Sequence, residues 1–197
     1  MTFRRRWRAT SIVAATLLLL MVVSTGIAQE DGPIGRGGQT ADAGADVLVV
    51  RQGSGAHGAK FLTQTNDTTT TSTSFVNLTS TTVNVASNHR EFLDIRFSGE
   101  SACTGGDAGF FDYCIVRILV DGVEAHPQSG FDDAFDSTDD STETIGSWEH
   151  HAMERVSNCL TPGNHTVTVQ WATTFSNVTF WLGDWTLGIE KVHLAAC

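Results

Sequence analysis

The chain has 197 residues and sets 22 acidic against 12 basic side chains, a formal charge of −10. That balance repels nucleic-acid phosphates and anionic lipid head groups, so neither is an expected partner. The length, with 41% hydrophobic residues, is enough for one domain with its own core.

The first 28 residues read as a secretory signal. Arg4, Arg5, Arg6 and Arg8 form a positive start, Ser11 to Val23 is uncharged and apolar, and Gly26-Ile27-Ala28 places small residues before a cut after Ala28. The most apolar run, Ile12 to Val23, is shorter than the roughly 20 residues of a spanning helix, which favours cleavage over anchoring. Arg6-Trp7-Arg8 fits a twin-arginine signal poorly, so general secretion is the expected route. Cleavage leaves 169 residues with eight Lys and Arg against 22 Asp and Glu, a charge of −14. A secreted, extracytoplasmic protein without a membrane partner follows as the expectation.

Residues 29–45, QEDGPIGRGGQTADAGA, lack apolar periodicity and read as a flexible leader. From residue 46 to 197 the pattern is a single β-domain. DVLVV (46–50) is the first expected strand and Lys60–Gln64 the second, followed by TSTSFVNL (71–78) and STTVNVA (80–86) with a polar break between them. FLDIRF alternates, with Leu93, Ile95 and Phe97 on one face and Asp94, Arg96 and Ser98 on the other. YCIVRILV (113–120) is apolar on both faces and reads as a central strand, and Asp121-Gly122 after it is a hairpin signal. Ser147–Ser157 alternates less well. HTVTVQW (165–171) turns Val167, Val169 and Trp171 inward, and DWTLGIEKV (184–192) does the same with Trp185, Leu187 and Ile189. Eight to ten short strands without a helical period predict an all-β antiparallel sandwich or jelly roll.

Cys103, Cys114, Cys159 and Cys197 are an even set in an exported chain, which reads as two disulfides. The CxxC spacing of a zinc site is missing. Cys103 and Cys114 bracket a Gly-rich loop that can double back. If 165–171 and 184–192 are antiparallel neighbours joined around residues 176–178, Cys159 mirrors a position between 193 and 197. The expected pairs are therefore Cys103–Cys114 and Cys159–Cys197.

The segment Phe131–Glu143 carries Asp132, Asp133, Asp136, Asp139, Asp140 and Glu143. Hard oxygen donors at that density suit Ca²⁺, with the five aspartates as ligands, although the spacing is not that of an EF-hand and a solvated acidic loop is the favoured reading. No other cofactor is expected. His150 and His151 are adjacent, and on a strand adjacent side chains point to opposite faces, so they do not converge on one ion. Gly53-Ser54-Gly55 is not a nucleophile elbow, and nothing singles out two carboxylates as an acid–base pair. Catalytic residues are therefore not assigned.

Four of the five tryptophans fall within 148–185. Trp171 and Trp185 share the inward register, whereas Trp181 is out of phase with Val178, Phe180 and Leu182, and Trp148 opens a strand beside a loop. Exposed indoles beside carboxylates are how a β-sandwich holds a sugar, ring face against ring face and polar groups on hydroxyls. That makes Trp148, Trp181 and Asp184 the candidate ligand-binding set.

The segment from Trp148 to Val192 resembles the C-terminal half of bacterial jelly-roll carbohydrate-binding modules. Those modules run from a Trp to a strand with a leucine–x–x–glycine–x–histidine–x–hydrophobic pattern, then to a last strand with an acid beside an aromatic. Here the matching residues are Trp148, then Leu160, Gly163, His165 and Val167, then Asp184 and Trp185. The strand LTPGNHTVTVQW is also similar to one found in uncharacterised exported bacterial domains. The resemblance covers about a quarter of the chain and implies a jelly roll that binds an extracellular glycan without catalysis. Two other classes stay open: a structural or interaction protein of the cell surface or an appendage, meeting a surface protein, and a glycoside-type hydrolase.

Overall fold

The computed structural model describes residues 58–139 and 141–193. The signal sequence with its cleavage site at Ala28, the leader, the DVLVV segment, Asp140 and Cys197 lie outside the described residues. Ten strands follow one another: β1 (Ala59–Gln64), β2 (Thr68–Thr70), β3 (Val76–Val85), β4 (Glu91–Gly105), β5 (Tyr113–Val120), β6 (Val123–Glu124), β7 (Asp136–Ser137), β8 (Glu149–Val156), β9 (Gly163–Thr173) and β10 (Val178–His193). They form two antiparallel five-stranded sheets. Sheet I has the order β1-β10-β4-β8 with β2 also on β10, and sheet II has β3-β9-β5-β6 with β7 also on β5. The chain is an all-β sandwich.

Alternation dictates what lies between the sheets. Leu93, Ile95 and Phe97 of β4 and Phe180, Leu182, Leu187 and Ile189 of β10 are shut away from solvent, as are Val116 and Ile118 of β5 and Val167 and Val169 of β9. Trp171 lies 5.3 Å from Phe180, and Phe97 lies 5.9 Å from Trp185, both between ring centroids. Ile115, on the outer face of β5, is also fully buried, so this central strand is apolar on both faces for a reason. The hairpin after β5 takes positive φ at both Asp121 (52°) and Gly122 (80°), the backbone a two-residue β-turn needs to follow the strand twist.

Three expectations change. Residues 76–85 form one strand, with a register shift between Asn77 and Thr79 where a polar break was expected. Residues 71–75 precede it as loop. β9 and β10 are not neighbours: β9 pairs with β3 and β5, and β10 pairs with β1, β2 and β4, so the chain crosses from sheet II to sheet I between them. Two strands of matching inward pattern pair equally well in one sheet or face each other across a core, because each buries one face either way. The mirror relation that joined Cys159 to Cys197 therefore does not hold. Cys159 is nevertheless disulfide-bonded, while Cys197 lies outside the described residues.

Cys103–Cys114 forms as expected, with Cα atoms 5.8 Å apart. It ties the end of β4 in sheet I to the start of β5 in sheet II. The same pole of the sandwich holds the β9–β10 crossing. The opposite pole holds Ala59, paired with Glu190, and His193, paired with Glu91.

Candidate functional site

The outer face of sheet I carries the candidate site. In β10, Leu182 and Trp185 both point inward although they are three residues apart, because a bulge between Gly183 and Thr186 resets the alternation. Asp184 sits in that bulge with φ +36°, exposed. Trp181, one residue before Leu182, faces outward and stands across from Thr69 of β2 and Ala102 of β4. Its indole Nε1 donates to Thr104 Oγ1 at 3.2 Å, which holds the half-buried ring against the sheet.

Gly183 makes room for the second indole. A Cβ there would lie 3.5 Å from the Trp148 ring and 2.6 Å from Asp67 Oδ1, so the ring edge and a carboxylate converge over the bare backbone. Trp148 ends the loop that leads into β8 and is half-buried. Ala102 faces outward and is nevertheless fully buried, so small residues at 102 and 183 form the floor under this aromatic cover. Glu100 pairs across the strands with Gly183 on one side and His150 on the other, which adds a carboxylate and an exposed imidazole to the same outer face. The structure thus places Trp148 over Gly183 and Trp181 two residues earlier on the same outer face, with Asp184 in the adjoining bulge. Asp67, Glu100 and Ala102 were missed. Gly183-Asp184 inside a strand pattern was the available signal, since an interior glycine marks a bulge or a close approach.

The acidic segment does something else. Asp133 pairs with Arg155 of β8, Asp139 accepts from Ser137 Oγ at 3.0 Å, and Asp132 is exposed. Asp136 turns inward, where it accepts from Ser101 Oγ at 2.5 Å and from the Ser137 backbone N–H at 2.7 Å. Of the aspartates expected as calcium ligands, Asp133, Asp136 and Asp139 therefore face different partners and Asp132 is exposed, while Asp140 lies outside the described residues. Among the described residues, no group of three or more His, Cys, Asp or Glu is placed to hold a metal ion.

Asp136 belongs to a polar seam where β7 and the following loop close the sandwich against β4 and β8. His151 points into it, with Nε2 at 3.8 Å from Asp136 and 3.4 Å from Glu149, while His150 points to the outside of sheet I. The two histidines do lie on opposite faces. Glu143 accepts from the Cys103 backbone N–H at 3.1 Å, which satisfies β4 beyond the end of β8. Burial and the nearby Asp136 charge push Glu143 up to about 7. Burial raises Asp136 as well, against the Ser101 hydrogen bond and the His151 charge. No family model matches the chain, and no curated protein shows a matching sequence.

Proposed function

We propose that this chain is a secreted, non-catalytic jelly-roll module that binds extracellular glycan on the outer face of sheet I. The observation that carries the reading is two half-buried indoles on one sheet face, Trp148 over the bare backbone of Gly183 and Trp181 beside Ala102 and Thr104, with Asp67, Glu100 and Asp184 at hand. An indole face stacks on the apolar face of a pyranose ring, and carboxylates accept from its hydroxyls. The strand order supports the architecture. With the short β2 and β7 set aside, the orders β1-β10-β4-β8 and β3-β9-β5-β6 interleave early and late strands in both sheets, as paired Greek keys do.

The site lies on the outer face of a sheet, which favours one face of a chain-like sugar over an enclosed small molecule. Binding on a broad glycan array, lost in Trp181→Ala while the melting temperature stays within a few degrees, is the expected outcome. Silence across the array, or binding that survives Trp181→Ala and Trp148→Ala together, overturns the reading.

A further inference from the structure

A second surface lies at the pole that holds the Cys103–Cys114 disulfide. Four aromatic side chains stand out there, three from two neighbouring loops and one from the start of β5: Phe110 is 66% exposed, Phe111 62%, Phe175 59% and Tyr113 40%. Loops are ordinarily polar, and large rings left in water at one end of a molecule mark a contact surface.

The backbone that carries the rings is held in place. The disulfide closes the first loop. Gly106 N–H donates to the Asn177 carbonyl at 3.2 Å, and Asn177 Nδ2 donates to Asp107 Oδ1 at 3.1 Å, which ties that loop to the β9–β10 crossing. Thr174 N–H donates to the Tyr113 carbonyl at 3.0 Å, while Tyr113 N–H donates to Thr174 Oγ1 at 2.9 Å. Inside the loop, buried Asp112 accepts from Asp107 N–H at 3.3 Å and donates its own N–H to Thr138 Oγ1 at 3.1 Å. Gly105 and Gly106 turn the chain with φ of +92° and +80°, and a Cβ at either would lie 2.3 Å from an oxygen, so the turn admits only glycine. A surface whose backbone is ordered before contact loses less freedom on binding.

The charge around the rings chooses the partner. No Lys or Arg occurs in residues 97–116 or 156–190, which include both loops of this pole. Asp107 lies in the first loop, and exposed Asp139 lies in the loop that Thr138 brings alongside. Of the described cations, Lys60, Arg90 and Lys191 sit at or near the opposite pole, while Arg96, Arg117 and Arg155 sit on the flanks. Residues 59 and 193, the ends of the first and last strands, also lie at the opposite pole. A second copy would set carboxylates against carboxylates, and an anionic membrane would meet the same repulsion.

We propose that this aromatic, acidic pole docks a protein surface that is apolar at its centre and rimmed by lysine and arginine. The aromatic rings bury against the apolar centre, and the carboxylates meet the cationic rim. The proposal is independent of glycan binding.

The test uses a fluorescent synthetic amphipathic peptide of leucine and lysine, its leucine and glutamate counterpart, and phosphatidylcholine vesicles, each titrated with the purified chain. The lysine peptide is expected to bind and the glutamate peptide not. Phe110→Ser, Phe111→Ser and Phe175→Ser combined are expected to weaken binding at least tenfold with the disulfide and melting temperature retained. Asp107→Asn is expected to weaken it less and to flatten its salt dependence. Should the triple variant fold poorly, Phe110→Ser alone, at the most exposed ring, is expected to weaken binding several-fold. Trp181→Ala is expected to leave peptide binding unchanged, which separates this surface from the sugar site. Equal binding by the triple variant and the parent overturns the proposal, because net charge then suffices. So does absence of peptide binding, binding to the vesicles through the same rings, or a dimer that the triple variant breaks.

Discussion

The centre of the sandwich and its β7–β8 seam are both buried, yet they are built from opposite chemistry. At the centre, Phe97 and Phe180 bring no polar atom and lie at 0% exposure. At the seam, Ser101 and Asp136 are just as enclosed, at 0% and 7%, and Asp136 accepts two hydrogen bonds there. Burying an apolar ring stabilises in proportion to the area removed from water, whereas burying a carboxylate costs free energy unless donors replace the water. The seam answers that cost in part with hydrogen bonds and in part by favouring protonated carboxyls. The centre should therefore be indifferent to pH, and the seam should not.

The largest expected effect is at the centre. Phe180→Ala should lower the unfolding free energy by about 3–5 kcal/mol in urea denaturation, since it leaves a cavity between Trp171 and Phe135. A loss below about 1 kcal/mol would mean that the two sheets can collapse onto the gap. Next comes the link between the sheets: Cys103→Ser with Cys114→Ser should cost about 2–3 kcal/mol, because an unfolded chain freed of the closed loop gains entropy.

The seam should then show itself in the pH profile. Glu143 stands at about 7 in the folded chain against an ordinary 4.5, so between those values the folded chain holds a proton that the unfolded chain has released. Its contribution is complete below 4.5 and is lost as pH rises through about 7. Asp136, raised from 3.8, acts in the same sense. His165 also does so. Burial lowers it, but hydrogen bonds to Asp121 and the Thr161 carbonyl, with the Asp121 charge, leave it above 6.5. The melting temperature should accordingly fall from pH 5 to pH 8, and Glu143→Gln should remove part of that slope. A parent chain equally stable at both ends of the range would contradict the seam's role. Arg96 supplies the smallest effect. Its side chain is 60% exposed and meets Asp94 and Glu154, and Arg96→Ala should change stability by less than about 0.5 kcal/mol in the same denaturation experiment.

Much of the fold was legible because alternation is a local property of the backbone. Leu93, Ile95 and Phe97 face the core, as do Val167, Val169 and Trp171, and each set is readable from its own strand. Asp121-Gly122 specified its hairpin for the same reason, since both residues tolerate positive φ. The candidate site was half legible. Trp181 was out of phase with its neighbours and does face outward, but Asp67 reaches the site from the β1–β2 loop and Glu100 from β4, and neither carries a mark of it in its own segment.

What the sequence determined by itself is the composition of each strand's two faces, the short disulfide and the acidic balance, because these need only neighbours in the chain. The tertiary structure alone decided that β9 and β10 lie in different sheets, that the bulge after Gly183 turns both Leu182 and Trp185 inward, and that Asp133 and Asp136 turn to separate partners. Each of those outcomes depends on which distant strand supplies the hydrogen bonds. A pleated strand presents the same two faces whichever neighbour it takes, so its own residues cannot name that neighbour.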